Sequence, residues 1–351
     1  MRPLASLLVP WYRKNRRHLP WRETRDPYRI WVSEIMLQQT TVEVVVPYYH
    51  RFLKKFPNVR RLAAAPEDEV LRVWSGLGYY ARARNLRRAA EIVVKEFGGR
   101  LPESAEELEK LPGIGRYTAG AIASIAFNRR APILDGNVAR VLARLFLLKS
   151  DPKSPTGQKL FWKKAQEILP PEGNYSDFNQ ALMELGATVC LPQSPICSRC
   201  PLAVVCRART VGDVESYPRL GEKTVPRRVI LSAALIEERG RLLMTRRPDS
   251  GLLRGLWEFP MVEGEEAALV RRFGVQPIRA LPPVRHSVLD RRLTITPFVC
   301  DPPMTAKGWP LRDARGGLLL ASRWVRPIDF GRLPTSSMNR KVLATFLAQS
   351  R

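Results

Sequence analysis

Four of the chain's five cysteines fall within seventeen residues, Cys190-Leu-Pro-Gln-Ser-Pro-Ile-Cys197-Ser-Arg-Cys200-Pro-Leu-Ala-Val-Val-Cys206. No other feature restricts the fold as sharply, because thiols spaced C-x6-C-x2-C-x5-C must share one short loop. Disulfide-dense secreted domains are short and carry cysteines throughout, and a 351-residue chain with a single local cluster does neither. A reducing, cytoplasmic setting is therefore expected. Structural zinc sites mostly use two close pairs across a longer loop. One cysteine followed by three within a short loop suits a compact cubane held by four thiolates. Spacing alone favours the cluster modestly and leaves zinc open. Cys300 stands apart and reads as a small buried hydrophobe.

The length supports about two domains. From Leu4 to about Val189 the apolar pattern is helical. Asp26-Pro27 combines a capping side chain with proline at the first helical position, and Tyr28, Trp31, Val32 and Ile35 follow at helix spacing. Ser104-Ala-Glu-Glu107 is a capping box, and Val138, Val141, Leu142 and Leu145 mark another buried stripe. Residues 208–226 have no apolar period and read as a linker. Beyond them Val229–Ile236, Leu242–Thr245 and Leu293–Val299 read as strands, broken by Arg239-Gly240 and by Pro/Gly stretches. A last helix is expected over Ser337–Ala348. The resulting division is a helical domain over 1–207, a linker over 208–226 and a mixed α/β domain over 227–351. No segment approaches a membrane span and no signal-peptide core is present, so no membrane partner is expected.

The formal net charge is +25, with +14 on residues 1–226 and +11 on 227–351. An excess spread so evenly favours a polyanionic partner, since neutralising phosphates releases counterions; a basic proteome would also produce it. Leu111-Pro-Gly-Ile-Gly115 lies between the Ser104 helix and the apolar run Ala119–Ala126. Gly113 and Gly115 allow a tight turn with outward amides at the positive end of a helix, which can hold an anion, although any αα-hairpin needs such a turn. Glu34 shares a helix face with Ile30, Leu37 and Gln38. Apolar surroundings raise a carboxyl's pKa, as a general acid requires, while a partly exposed carboxylate fits the same spacing. Asp135-Gly-Asn137-Val sits where a helix N-cap belongs.

The cysteine run resembles the cluster loop of the endonuclease III superfamily of DNA glycosylases, in all four positions and in the intervening prolines. That resemblance implies a [4Fe–4S] cluster on Cys190, Cys197, Cys200 and Cys206, with Arg199, Arg207 and Arg209 presented to phosphate. The Gly113–Gly115 turn then corresponds to a helix-hairpin-helix, with Asp135 as its acidic partner. Lyase-competent members carry a lysine just after the hairpin that attacks the sugar as a Schiff-base nucleophile. Tyr117 stands there instead, and a phenol forms no imine.

With Ser-Glu34-Ile-Met-Leu-Gln-Gln-Thr, the chain resembles the MutY-type adenine DNA glycosylases, most closely from Leu19 to Cys206. The resemblance implies a monofunctional, monomeric hydrolase of base-excision repair acting on adenine opposite 8-oxoguanine or guanine in duplex DNA. Glu34 would protonate the flipped adenine and later position water. Asp135 would stabilise, or transiently bond, the anomeric carbon. Tyr117 would orient these groups and Asn137 would hydrogen-bond near Asp135. Gln39 and Tyr79 would fill the gap left in the base stack. Arg17, Trp21 and Leu37 would line the adenine pocket, and Arg82, Arg84, Arg87 and Arg88 would meet phosphates.

Gly255-Leu-Trp-Glu-Phe-Pro260 resembles the Nudix fold. Glu263, Glu265 and Glu266 lack the order of a working Nudix magnesium helix, so a reader of 8-oxoguanine is expected rather than a phosphohydrolase. Family members often use a Phe-Ser-His turn for this purpose. Here the turn is Val284-Arg285-His286-Ser287, with His286 kept, Arg285 in place of the serine, and Ser287 one position on. The expected fold class is thus α + α/β, an all-helical helix-hairpin-helix domain with an iron–sulfur loop followed by a Nudix-like domain. The rival readings are an endonuclease III-like pyrimidine glycosylase and AP lyase, which Tyr117 opposes, and a non-catalytic iron–sulfur DNA-binding protein.

Overall fold

The structure is a computed structural model that describes residues 4–221, 225–301 and 321–349. Parts of the expected linker (222–224) and of the expected C-terminal domain (302–320, 350–351) lie outside the described residues. The chain divides into two compact units, one of residues 1–65 and 84–222, the other of 66–83 and 223–351.

The first unit is helical. Asp26 caps the helix Pro27–Leu37 by accepting from the Tyr28 and Arg29 amides, and Ser104 caps Ala105–Glu109 by accepting from Glu107. Both starts are those the sequence predicts. The helices Arg116–Phe127, Gly136–Phe146 and Tyr175–Thr188 surround a core of Ile30, Val138, Leu142, Phe161, Phe178 and Leu185. Their close approach depends on small residues. A Cβ on Gly186 would lie 2.6 Å from the Asn137 Cβ, and one on Gly120 would lie 2.2 Å from the Pro132 carbonyl oxygen.

The segment from 208 to 221 departs from the reading as a linker. Ala208 and Tyr217 are buried in the helical core, the Tyr217 carbonyl accepts from Arg144, and the Gly221 amide donates to Asp151. Two isolated apolar anchors have no period, which is why the pattern missed them.

The second unit centres on an eight-stranded sheet: β1 (Arg227–Glu238), β2 (Arg241–Arg246), β3 (Trp257–Glu258), β4 (Met261–Glu263), β5 (Gln276–Ala280), β6 (Val284–Val288), β7 (Arg291–Asp301) and β8 (Ser322–Val325). The path runs β3-β2-β1-β7-β5, with β4 on β1, β6 on β7 and β8 on β2. Among the described strands β1 and β7 pair in parallel and the other strand pairings are antiparallel. Arg239 and Gly240 both have positive φ, as a two-residue hairpin between β1 and β2 requires. Because strand side chains alternate, Ala233 and Leu235 of β1 face the helix Ser337–Gln349, while Ala234 and Ile236 face Glu266–Phe273. Cys300 is buried on the latter side, as expected. Residues 66–83, read from sequence as part of the helical stretch, belong to this second unit: Ser75 and Tyr80 both donate to the Thr335 carbonyl.

Candidate active site

Glu34 projects from the buried face of Pro27–Leu37 into a cavity of about 620 Å³ in the first unit. It is 5% exposed, which settles the sequence-level alternative in favour of burial. Loss of hydration pushes its carboxyl up to about 7, partly offset by the Tyr117 hydroxyl, which donates to Glu34 Oε2 at 3.0 Å. Tyr117 sits in the first turn of Arg116–Phe127, directly after the Gly-x-Gly turn. That turn therefore delivers a hydroxyl to the carboxyl group.

Asp135 caps Gly136–Phe146, accepting from the Val138 amide at 2.7 Å and from Asn137 Nδ2 at 3.0 Å. Burial nevertheless carries its pKa above the ordinary aspartate value, against the pull of these donors and of Arg140. Two carboxyl groups lining one dry cavity resist ionising together. Asp135 is served by two donors and Glu34 by one, so the shared proton rests on Glu34. Asn137 is itself held by Arg140, which also donates to the Gly186 and Cys190 carbonyls.

Arg17, Trp21 and Leu37, expected to line a pocket, and Gln39, expected in the base stack, all line this cavity, but Arg17 is not free for a ligand. Its side chain is bidentate on Glu184, and Arg22 adds a bond of 2.7 Å to the same carboxylate. Burial would raise the Glu184 pKa; the two arginines outweigh it and hold the group down at about 2. The cavity wall thus contains two arginines held from behind by Glu184, beside a carboxyl group whose pKa is raised to about 7. Sequence reasoning missed Glu184, Gln180, Met183 and Arg22, although a glutamate inside the stripe Ala181, Leu182, Leu185 was a visible signal. No lysine lines the cavity among the described residues.

Gln39 and Tyr79 are both exposed and both hold left-handed backbone, φ +57° and +47°, a conformation non-glycine residues rarely keep without a reason. Gly113, at φ +78°, and Gly115 are exposed on a turn anchored by buried Leu111 and Ile114. The expectation for the arginines after Tyr80 needs correction. Arg82 and Arg84 are buried, Arg82 lies over the Trp74 and Tyr79 rings, and Arg87 is tied to the Ala65 carbonyl and Glu91. Of the four, only Arg88 is exposed. A helix carrying arginine at 82, 84, 87 and 88 cannot turn all of them outward.

Cys190, Cys197, Cys200 and Cys206 are half-buried and none is in a disulfide. Among the described residues, no group of three or more His, Cys, Asp and Glu side chains is arranged to hold a metal ion. Arg144, 1% exposed, anchors the loop by donating to the Tyr217, Leu191 and Pro192 carbonyls and to Cys190 Sγ at 3.4 Å. Arg199, Arg207 and Arg209 are exposed.

In the second unit, the expected turn at 284–287 is instead part of strand β6, and the turn falls at Leu289 and Asp290 before β7, with Leu289 at φ +53°. His286 therefore has its neighbours Arg285 and Ser287 on the opposite strand face. Ser287 thus points from the other strand face, although it lines the same cavity as His286. Burial and Lys341 lower the His286 pKa, favouring the neutral ring.

Residues 32–167 match the HhH-GPD superfamily of base excision DNA repair proteins, and residues 232–345 match the NUDIX domain. The adenine DNA glycosylase of Homo sapiens is 41% identical over 76% of this chain and 58% of that protein. The adenine DNA glycosylase of Buchnera aphidicola subsp. Acyrthosiphon pisum is 38% identical over 76% of each. The chain spans 58% to 60% of the length of its human, mouse and rat relatives. Among solved structures, a thermostable thymine-DNA glycosylase superposes with a TM-score of 0.54 at 32% identity, covering 59% of this chain and 95% of the other. A non-covalent endonuclease III–DNA complex gives 0.50 at 26% identity, covering 60% and 96%.

Proposed function

The chain belongs to the adenine DNA glycosylase family, and from that premise we propose that it hydrolyses the N-glycosidic bond of adenine placed opposite 8-oxoguanine or guanine in duplex DNA. The observation that carries this reading is the pair Glu34 and Asp135, one holding a proton near neutrality and the other capped by donors, in one cavity without lysine. Glu34 donates to a ring nitrogen of the flipped adenine, which makes the base a leaving group. Asp135 faces the cationic sugar that develops as the bond breaks. Tyr117 holds the Glu34 carboxyl in place, and Asn137, braced by Arg140, holds Asp135. Water completes the hydrolysis, and with no amine to form an imine the strand stays intact.

A [4Fe–4S] cluster on Cys190, Cys197, Cys200 and Cys206 belongs to the same proposal. The donor chemistry fits. All four thiols are unbridged, and the buried Arg144 guanidinium has no carboxylate partner among the described residues, so an anionic Cys190 thiolate would neutralise it. Such a cluster would crosslink the loop that carries Arg199, Arg207 and Arg209. His286 is proposed to read the base opposite adenine.

The test is release of free adenine from duplexes with 8-oxoguanine, guanine or thymine opposite, run with and without alkali and with borohydride. The reading requires adenine release opposite 8-oxoguanine and guanine, strand breaks only after alkali, and no trapped adduct. Trapping, or breaks before alkali, would instead establish a lyase.

A further inference from the structure

Parallel strands are ordinarily covered on both faces. In the second unit the parallel pair β1·β7 is covered on one face by Ser337–Gln349. On the other, the eight-residue helix Glu266–Phe273 shares a core with Ala234, Ile236, Phe298 and Cys300, which lie towards the carboxyl ends of both strands. The amino-terminal half of that face is exposed and lines a cavity of about 1100 Å³. Register decides which groups stand there. Arg228 pairs with Arg292, Arg292 with Ser287, and Thr294 with Arg285. Three guanidinium groups therefore share one sheet face, two of them on adjacent strands about 4.8 Å apart.

Like charges placed directly across a pairing destabilise a sheet. The neighbouring Arg227 is paired with Glu263. Glu265 and Glu266 line the same cavity as Arg228, Arg285 and Arg292, but no ion pair within 4.0 Å joins them among the described residues, and Lys341 adds a further positive charge. Among the described residues this half of the face has no helix over it and carries more positive than negative side chains, and an anion with several oxygens would complement both. Ser287, Thr294 and Thr296 add hydroxyl donors on the same side.

We propose that this face is a phosphate clamp for the backbone of the substrate duplex, with Arg285 serving as a backbone contact rather than as a reader of the base. The choice of occupant rests on the proposed function, which supplies a polyanion, and on charge complementarity. Arg285 lies within strand β6, not in a turn, on the face it shares with Arg228 and Arg292. Strand alternation turns its side chain to the face opposite His286, although both residues line the same cavity.

The experiment measures duplex affinity as a function of salt in a Glu34→Gln background, where binding is separated from turnover. Arg285→Ala, Arg292→Ala and Arg285→Lys are compared on undamaged, adenine–guanine and adenine–8-oxoguanine duplexes. Each alanine should lower the slope of log affinity against log salt by about 0.9 and weaken all three duplexes by the same factor. Arg285→Lys should keep the slope. An unchanged slope, or a loss confined to the 8-oxoguanine duplex, overturns the proposal. Arg292→Ala should also raise the melting temperature of the free protein at low salt, since it removes repulsion; a fall would mark the arginine as structural and overturn it too. Adenine release by the unaltered protein on the same duplexes tests the underlying reading separately.

Discussion

At the scale of single residues, the account turns on Glu34 being both buried and acidic. Its carboxyl titrates at about 7 in the folded chain against 4.5 for an ordinary glutamate. A raised folded pKa contributes stability that is complete below about 4.5 and lost as pH climbs through about 7. Above that, ionising the group in place costs the fold about 3 kcal/mol, an order-of-magnitude figure. Glu34→Gln should therefore melt with the natural protein at pH 4 and above it at pH 8, while adenine release falls by several hundredfold or more. Thermal unfolding at the two pH values checks the first part. Tyr117→Phe removes the one donor that favours the charged form, so the alkaline limb of the activity profile should move to higher pH; movement to lower pH would contradict the assignment. Glu34 and Asp135 were legible in the sequence because each stands in a recognisable local pattern, a carboxylate on an apolar face and a cap. Glu184 was not, since its role comes from Arg17 and Arg22, more than 160 positions away.

At the scale of elements, Asp135 caps a helix and, in the proposed function, also serves the chemistry, and the two duties can be separated. Asparagine caps about as well as aspartate but carries no charge. Asp135→Asn should leave the melting temperature within about 2 °C and abolish most adenine release, whereas Asp135→Ala should also lose about 1 kcal/mol of stability. Equal stability loss in both variants would show that the carboxylate's charge matters to the fold. Gly186 tests how the crossing helices place Asn137. An added Cβ would overlap the Asn137 Cβ at 2.6 Å, so Gly186→Ala should cost about 1–3 kcal/mol and slow release by displacing Asn137. The long helices and β1, β2 and β7 were readable because each offers several turns or alternations of apolar residues. β3 and β4, at two and three residues, offer no period, and their pairing is set by the longer strands beside them.

For the whole molecule, the +25 charge is the setting in which the sites work, and its uneven use matters more than its size. Arginines that sequence reading assigned to phosphate turn inward, Arg82 and Arg84 being buried, and Arg17, assigned to the adenine pocket, is committed to Glu184. Those on the cysteine loop and on the open face of β1, β6 and β7 remain exposed. The membership of 66–83 in the second unit could not be read from sequence, because its helix has an ordinary amphipathic pattern and its partners lie some 260 positions away. It also shapes the choice of test for the reader. Deleting 227–351 would strip Ser75 and Tyr80 of their Thr335 acceptor, so His286→Ala is the cleaner probe. That variant should lower the preference for 8-oxoguanine over guanine opposite adenine while leaving release from the adenine–guanine duplex within about twofold. The most direct test of the central claim is the single-turnover rate of adenine release from an adenine–8-oxoguanine duplex, followed from pH 5 to 9 for the natural protein and Glu34→Gln. A rate that falls as pH rises through about 7, and that is lost across the range in Glu34→Gln, is the predicted result; a pH-independent rate, or an active Glu34→Gln protein, would contradict it.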